Sequence, residues 1–221
     1  MRKVVFTALL IGLITLISCK KDKNSDQAKY EAPKPTQNYL PLEIGNYWVY
    51  ENYMIKYGQE ILSESTDSIV IIGDTIIRGE TYFVLGGHFN LIFEGRLPIR
   101  DSLGYLINSN GNIYFTLNNI GDIYENHISM NNDVDTIYTK QSYTDSVEEQ
   151  IEVPAGFFPA RKKVTNYEAY FFGNTNDSLR YRTIYSYFTE GVGQITNQSI
   201  TASNLTVWEK RLVKYHIQEQ P

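Results

Sequence analysis

The chain has 221 residues, 42% of them in the AVILMFWYC set and 20% charged, with 20 basic against 25 acidic side chains and one cysteine. That length supports one or two domains with a core of their own, so no metal or disulfide is needed to hold it. Fifteen Gly and seven Pro exclude collagen-like and low-complexity classes, a mean hydropathy of -0.33 excludes a multi-span helical membrane protein, and 18 Tyr with 10 Phe and 2 Trp tilt the expectation toward strands.

The chain opens on basic Met1-Arg2-Lys3, runs apolar from Val4 to Ile17 but for Thr7, Gly12 and Thr15, and reaches Leu16-Ile17-Ser18-Cys19. A basic start, an apolar run of about 14 and a small residue before the cut form a secretory signal peptide, too short for the ~18 to 20 residues of a spanning helix. The last four residues resemble a bacterial lipobox. That resemblance implies removal of residues 1–18 and a diacylglycerol and palmitate-type anchor on Cys19, and two or more acyl chains hold a protein stably to a bilayer. The expected location is the cell envelope, lipid-anchored at the outer membrane, on its periplasmic face or the cell surface. The only thiol is consumed by the anchor, and the mature chain keeps 18 basic against 25 acidic groups, a balance that argues against nucleic acid as a partner.

Residues 19–38 are polar, charged and Pro-containing without apolar periodicity, which reads as a flexible tether with a reach of about 25 Å. From Tyr39 to about residue 218 a single antiparallel β domain is predicted. Asn46 to Lys56 is aromatic-rich and nearly alternating. Ser68 to Ile72, Thr75 to Ile77 and Thr81 to Leu85 are separated by Gly73-Asp74 and Arg78-Gly79-Glu80, which predicts two tight hairpins. Leu103 to Ile107 and Asn112 to Leu117 flank Asn108-Ser109-Asn110-Gly111, a further hairpin. Asp122 to Met130, Asp135 to Tyr143, Val147 to Val153, Phe158 to Phe172, Leu179 to Thr189, Gly193 to Ile200 and Thr206 to Ile217 follow. No apolar period of 3.6 is sustained over three turns, so helices beyond one short turn are not expected. In Tyr181 to Tyr187 the tyrosines and Thr183 share one face and Arg182, Ile184 and Ser186 the other, so both faces want cover. The prediction is all-β: a curved sheet of about ten to twelve strands forming an open or incomplete barrel.

Four segments carry a resemblance: Tyr39-Leu40-Pro41-Leu42-Glu43-Ile44-Gly45-Asn46-Tyr47-Trp48-Val49-Tyr50, Gly73-Asp74-Thr75-Ile76-Ile77-Arg78-Gly79-Glu80-Thr81-Tyr82, Val153-Pro154-Ala155-Gly156-Phe157-Phe158, and Tyr187-Phe188-Thr189-Glu190-Gly191-Val192-Gly193-Gln194-Ile195. In this order they resemble a large set of predicted lipoproteins of Bacteroidota, similar to lipoprotein-carrier-like folds in which a curved sheet forms an incomplete barrel. The resemblance implies a fold and no catalytic residues. The motifs also have structural readings: Pro154-Ala155-Gly156 as a turn, Gly191 and Gly193 as a bend or close backbone approach around Val192, and Trp48 as a plug or lumen lining.

His88, His127 and His216 lack metal-ligand spacing, no nucleophile or phosphate-loop signature is present, and no cofactor or metal is called. Glu148 and Glu152 alternate as a solvated face, and Asn131 to Asp135 reads as a turn rather than a calcium loop. The triplet Asp, then Ser or Thr, then an apolar residue occurs six times and puts forward Ser68, Thr75, Ser102, Thr136, Ser146 and Ser178. These resemble acceptors for periplasmic O-glycosylation in Bacteroidota; the alternative is turn grammar, in which Asp caps a turn before a strand. Two functions remain open. One is a non-catalytic envelope module whose concave aromatic face, with Tyr47, Trp48, Tyr50, Tyr181, Tyr185 and Tyr187 as candidates, binds an apolar or glycan ligand or an envelope protein partner. The alternative is an envelope hydrolase acting on glycan or peptide through paired carboxylates, one with a raised pKa.

Overall fold

The computed structural model describes residues 39–89, 94–131, 135–170, 177–201 and 204–218. The predicted signal peptide, Cys19 and the predicted tether lie outside them. The described residues form twelve strands and one helical turn: β1 (Tyr47–Lys56), β2 (Gln59–Ile77), β3 (Glu80–His88), β4 (Glu94–Ser102), β5 (Tyr105–Asn108), β6 (Ile113–Thr116), β7 (Glu125–Asn131), β8 (Asp135–Val153), β9 (Gly156–Ala169), α1 (Asp177–Arg180), β10 (Tyr181–Thr189), β11 (Gly193–Ile200) and β12 (Val207–His216).

All twelve strands belong to one antiparallel sheet in the order β6-β5-β4-β3-β2-β1-β12-β11-β10-β9-β8-β7. Neighbours in space are neighbours in sequence except at the centre, where β1 pairs with β12 from Tyr47↔His216 to Ile55↔Val207. The sheet curls until β6 and β7 face each other without pairing, an all-β barrel with an unsealed seam. The seam is bridged by groups other than a strand ladder: Thr144 Oγ1 donates to the Thr116 carbonyl at 2.7 Å, Lys163 Nζ to the Tyr114 carbonyl at 3.0 Å, and the Gly121 and Tyr124 amides to the carbonyls of Thr144 and Ser142. The first two satisfy carbonyls that the open edge of β6 leaves without a partner strand, and the last two satisfy carbonyls of β8.

Several strands depart from expectation for local reasons. Gly73-Asp74 is not a turn. β2 runs straight through it with a bulge between Ile71 and Gly73, because a glycine in a strand serves a bulge as well as a turn. The long first half of β2 is polar (Gln59 to Asp67), which hid it. Asp135 to Tyr143 and Val147 to Val153 are one strand, β8, whose irregularity between Thr144 and Glu148 absorbs the predicted gap. β4 was masked by Pro98, which pairs with Val84 of β3 and lies one residue outside the stretch that β5 covers, so its missing N–H breaks no ladder there. The turns before β2 and β5 are Tyr57-Gly58 and Leu103-Gly104, each with both residues at positive φ (50° and 76°, 53° and 85°), the tight hairpin geometry with a bulky residue where Asn is usual. Pro154-Ala155 is the predicted turn, with Gly156 at φ 135° opening β9.

One end of the barrel is an apolar plug. Trp48 and Tyr50, alternate residues of β1, point inward and are 1% and 2% exposed. The Trp48 indole donates to the Val192 carbonyl at 2.6 Å and the Tyr50 phenol to the Gln194 carbonyl at 2.8 Å, so both rings are buried with their polar atoms satisfied. A Cβ on Gly193 would stand 3.1 Å from the Trp48 nitrogen, so Gly191-Val192-Gly193 is a close backbone approach to this ring. Ile69, Ile71, Leu85, Ile99, Leu106, Ile195 and Leu212 fill the plug around a stacked Phe115–Phe188 pair with centroids 4.2 Å apart. Asn46, fully buried, clasps the two ends of the domain: its Nδ2 donates to the Pro41 carbonyl and its Oδ1 accepts from the Gln218 amide.

Candidate functional site: a polar lumen

Deeper along the same strands the inward positions change character. On β1, Trp48 and Tyr50 give way to Asn52; on β12, Leu212 gives way to Lys210; on β10, Phe188 gives way to Ser186. Side chains this polar do not fill the interior as Leu and Phe fill the plug, and a cavity of about 490 Å³ remains. Its walls come from β4 to β11 and include both strands of the seam, with Phe188 marking the border with the plug. The volume falls within the range of small-molecule sites.

The charged centre of the cavity is built by three strands on one side. Glu125, the first residue of β7, accepts from Lys140 Nζ of β8 at 2.6 Å and from the Ser142 hydroxyl at 2.6 Å, and lies 3.4 Å from Lys163 Nζ of β9. Burial alone would raise the Glu125 pKa; Lys163, Lys140 and Ser142 outweigh it and hold the carboxyl at about 2. Lys163 is enclosed, its ammonium on the Tyr114 carbonyl and over the rings of Tyr114 and Tyr124. Burial pushes its pKa down to about 8, and the like charge of Lys140 adds to the shift against the pull of Glu125. Tyr114, Tyr124 and Tyr167 are pushed up by burial and stay protonated. The Tyr114 phenol donates to Gln194 Oε1 at 2.9 Å, and Ser186 donates to Asn197 Oδ1 at 2.9 Å. A second buried pair, Lys210 on Asp67 at 2.6 Å, sits closer to the middle of the sheet and also donates to the His88 carbonyl.

No family model matches the sequence, and no curated protein matches it. Two crystal structures are similar in shape. One is of a protein classed as exported, with a YmcC-like fold, from Bacteroides fragilis, at 12% identity and TM-score 0.45 over 79% of this chain and 96% of that one. The other is of a protein classed as a lipoprotein from Parabacteroides distasonis, at 16% identity and TM-score 0.40 over 80% of this chain and 98% of that one.

The candidate aromatics lie elsewhere than the lumen. Trp48 and Tyr50 are inside the plug. Tyr47 stacks on His216, centroids 5.6 Å apart, on the other face of β1. Tyr181 and Tyr185 are exposed, under Arg180 at 5.0 Å and Lys162 at 5.6 Å, and the half-buried Tyr187 donates to Glu149. The face of β10 that turns inward is the one carrying Ile184 and Ser186. The tyrosines face outward because their rings cover neighbouring aliphatic stems while their hydroxyls and π-faces meet surface ions. The same arrangement holds Arg211 over Tyr53 at 4.3 Å, with Arg211 bonded to Glu60 and Glu209.

None of the six acceptor candidates is buried: Ser68, Ser146 and Ser178 are exposed, and Thr75, Ser102 and Thr136 are half-buried. Turn capping by the preceding acid is seen at Asp101, which accepts from the Gly104 amide, and Asp145, which accepts from the Val147 amide. Glu148 and Glu152 are exposed. Among the described residues that line the lumen Glu125 is the one carboxylate, and no group of three metal-ligating side chains occurs among the described residues.

Lys163, Lys140, Glu125 and Gln194 were not singled out from sequence. A signal exists for Lys163. Period-two alternation forces the adjacent Lys162 and Lys163 onto opposite faces, and Lys163 shares its face with Thr165 and Tyr167, so one of the two lysines had to enter a curved sheet.

Proposed function

We propose that this chain is a membrane-anchored, non-catalytic binding module of the bacterial cell envelope, with its ligand in the lumen. The observation that carries the reading is the cavity of about 490 Å³ inside the pleated wall, lined by polar and charged groups. The amino-terminal basic and apolar run ending at Cys19 supports the anchor, and the exposed or half-buried Ser and Thr of the six Asp-led triplets support a glycan-bearing outer surface. The hydrolase alternative has less support. A paired-carboxylate site needs a second acid kept protonated, whereas Glu125 is the one carboxylate among the described residues lining the lumen and is held ionised by two ammonium groups.

Native mass spectrometry of the protein from its host tests the lumen reading. The expected result is a co-purifying small molecule that is absent from Ser186→Trp, a variant that fills the cavity. A species free of bound molecule under conditions that preserve other ligand complexes, in wild type and variant alike, would remove it. The same spectrum reports the anchor: a mass for the chain from Cys19 plus acyl groups is expected, any further increment would be glycan, and a mature form without fatty acid overturns the anchoring.

A further inference from the structure

The lumen carries more positive than negative charge. Two ammonium groups, Lys163 and Lys140, share one carboxylate, Glu125, among the charged described residues that line it. Several of its acceptors are engaged: Glu125 by Lys140, Ser142 and Lys163, Asn108 Oδ1 by the amides of Asn110 and Asn112, Asn197 Oδ1 by Ser186, and Gln194 Oε1 by Tyr114. Gln194 Nε2 and the Tyr167 phenol are further donors in the lining, and each ammonium has three hydrogens to place. A buried surplus cation costs free energy.

We propose, building on the lumen reading, that the cavity receives the anionic group of its ligand, a carboxylate or a phosphate, at Lys163 and Lys140, with Gln194 and Tyr167 as neutral donors beside them. An anion here cancels the surplus charge and accepts from both ammonium groups, and charge-assisted bonds are the strong ones. The groups that face Lys163 are Glu125 from β7, Lys140 from β8, the Tyr114 carbonyl and ring from β6 and Tyr124 from the segment before β7. None of the tyrosines ionises near neutrality, so Lys163 is the group that titrates first as pH rises. Anion affinity therefore falls as pH climbs past about 8.

The test is fluorine NMR titration of the mature full-length protein in detergent with three probes of similar size: 4-fluorobenzoate, 4-fluorophenyl phosphate and the neutral 4-fluorobenzamide. Binding of one or both anions is expected, with the amide at least about tenfold weaker. Lys163→Met and Lys140→Met, each checked for native circular dichroism, are expected to weaken the anion by about tenfold or more and to leave the amide unchanged. Preference between benzoate and phosphate then assigns the group. Equal affinity for benzoate and benzamide, unmoved by either variant, overturns the anion site and leaves the lumen reading standing. No binding of any probe up to about 10 mM also overturns it, and the co-purification result then decides the lumen reading separately.

Discussion

At the scale of single residues, the group that most shapes the interior is Glu125. It is ionised because two ammonium groups and a hydroxyl converge on it, and its pKa of about 2 lies below the ordinary 4.5. Between these values the unfolded chain binds more protons than the folded one, so acidification through the window favours unfolding. Stability from this group is complete above about pH 4.5 and lost as pH falls through about 2. Lys163, at about 8 against an ordinary 10.5, is also depressed. The unfolded chain again holds the extra proton between these values, and raising pH from about 8 to 10.5 adds stability. Glu125→Gln is expected to cost about 3 kcal/mol at neutral pH, because it leaves two enclosed ammonium groups without their counter-charge, and to flatten the acid limb of the stability curve. Urea midpoints across pH measure both, and an unchanged midpoint contradicts this account of the lumen.

At the scale of elements, the strands followed from alternation and aromatic content wherever a run was apolar. β1, β9, β10, β11 and β12 were legible within a few residues. The misreadings have separate local causes: the bulge at Gly73 in β2, the irregularity in β8 and Pro98 in β4. The chain also turns at Tyr57-Gly58 and Leu103-Gly104, where Asn or Asp was expected. The face of β10 was unreadable because both of its faces are half apolar, and the decision rests on partners far along the chain, such as Lys162 and Glu149 for the outer tyrosines. The lumen was less legible still, since an inward lysine looks like a surface lysine until curvature gives the strand an inside. The turn chemistry is testable. Leu103 is 78% exposed and sits at φ 53°, a region where Asn is favoured over branched side chains. Leu103→Asn should stabilise the protein by roughly 0.5 kcal/mol in urea denaturation, and a loss of that size would show that Leu103 does more than turn the chain.

At the scale of the whole molecule, the sheet has a strong centre and a weak boundary. β1 and β12 are paired on both sides, whereas β6 and β7 are each paired on one side, with β6 tied to β8 and β9 by the Thr144 and Lys163 side chains. Amides of β1 and β12 are expected to exchange last with deuterated solvent and those of β6 and β7 first, as read by hydrogen exchange with mass spectrometry. Uniform protection around the ring would mean that the seam is closed in solution. Since both seam strands also line the cavity, the first opening to be expected in this barrel lies beside Lys163.

The pairing of Tyr47 with His216 reaches beyond stability. A polypeptide made or threaded amino end first exposes β1 before β12 and must wait for the ten strands between them before that partner emerges. Until then the indole of Trp48 has neither β12 beside it nor the Val192 carbonyl to receive its proton. Completion of the ring is thus postponed until β12 has been made or has passed, which keeps the preceding strands pliable until then.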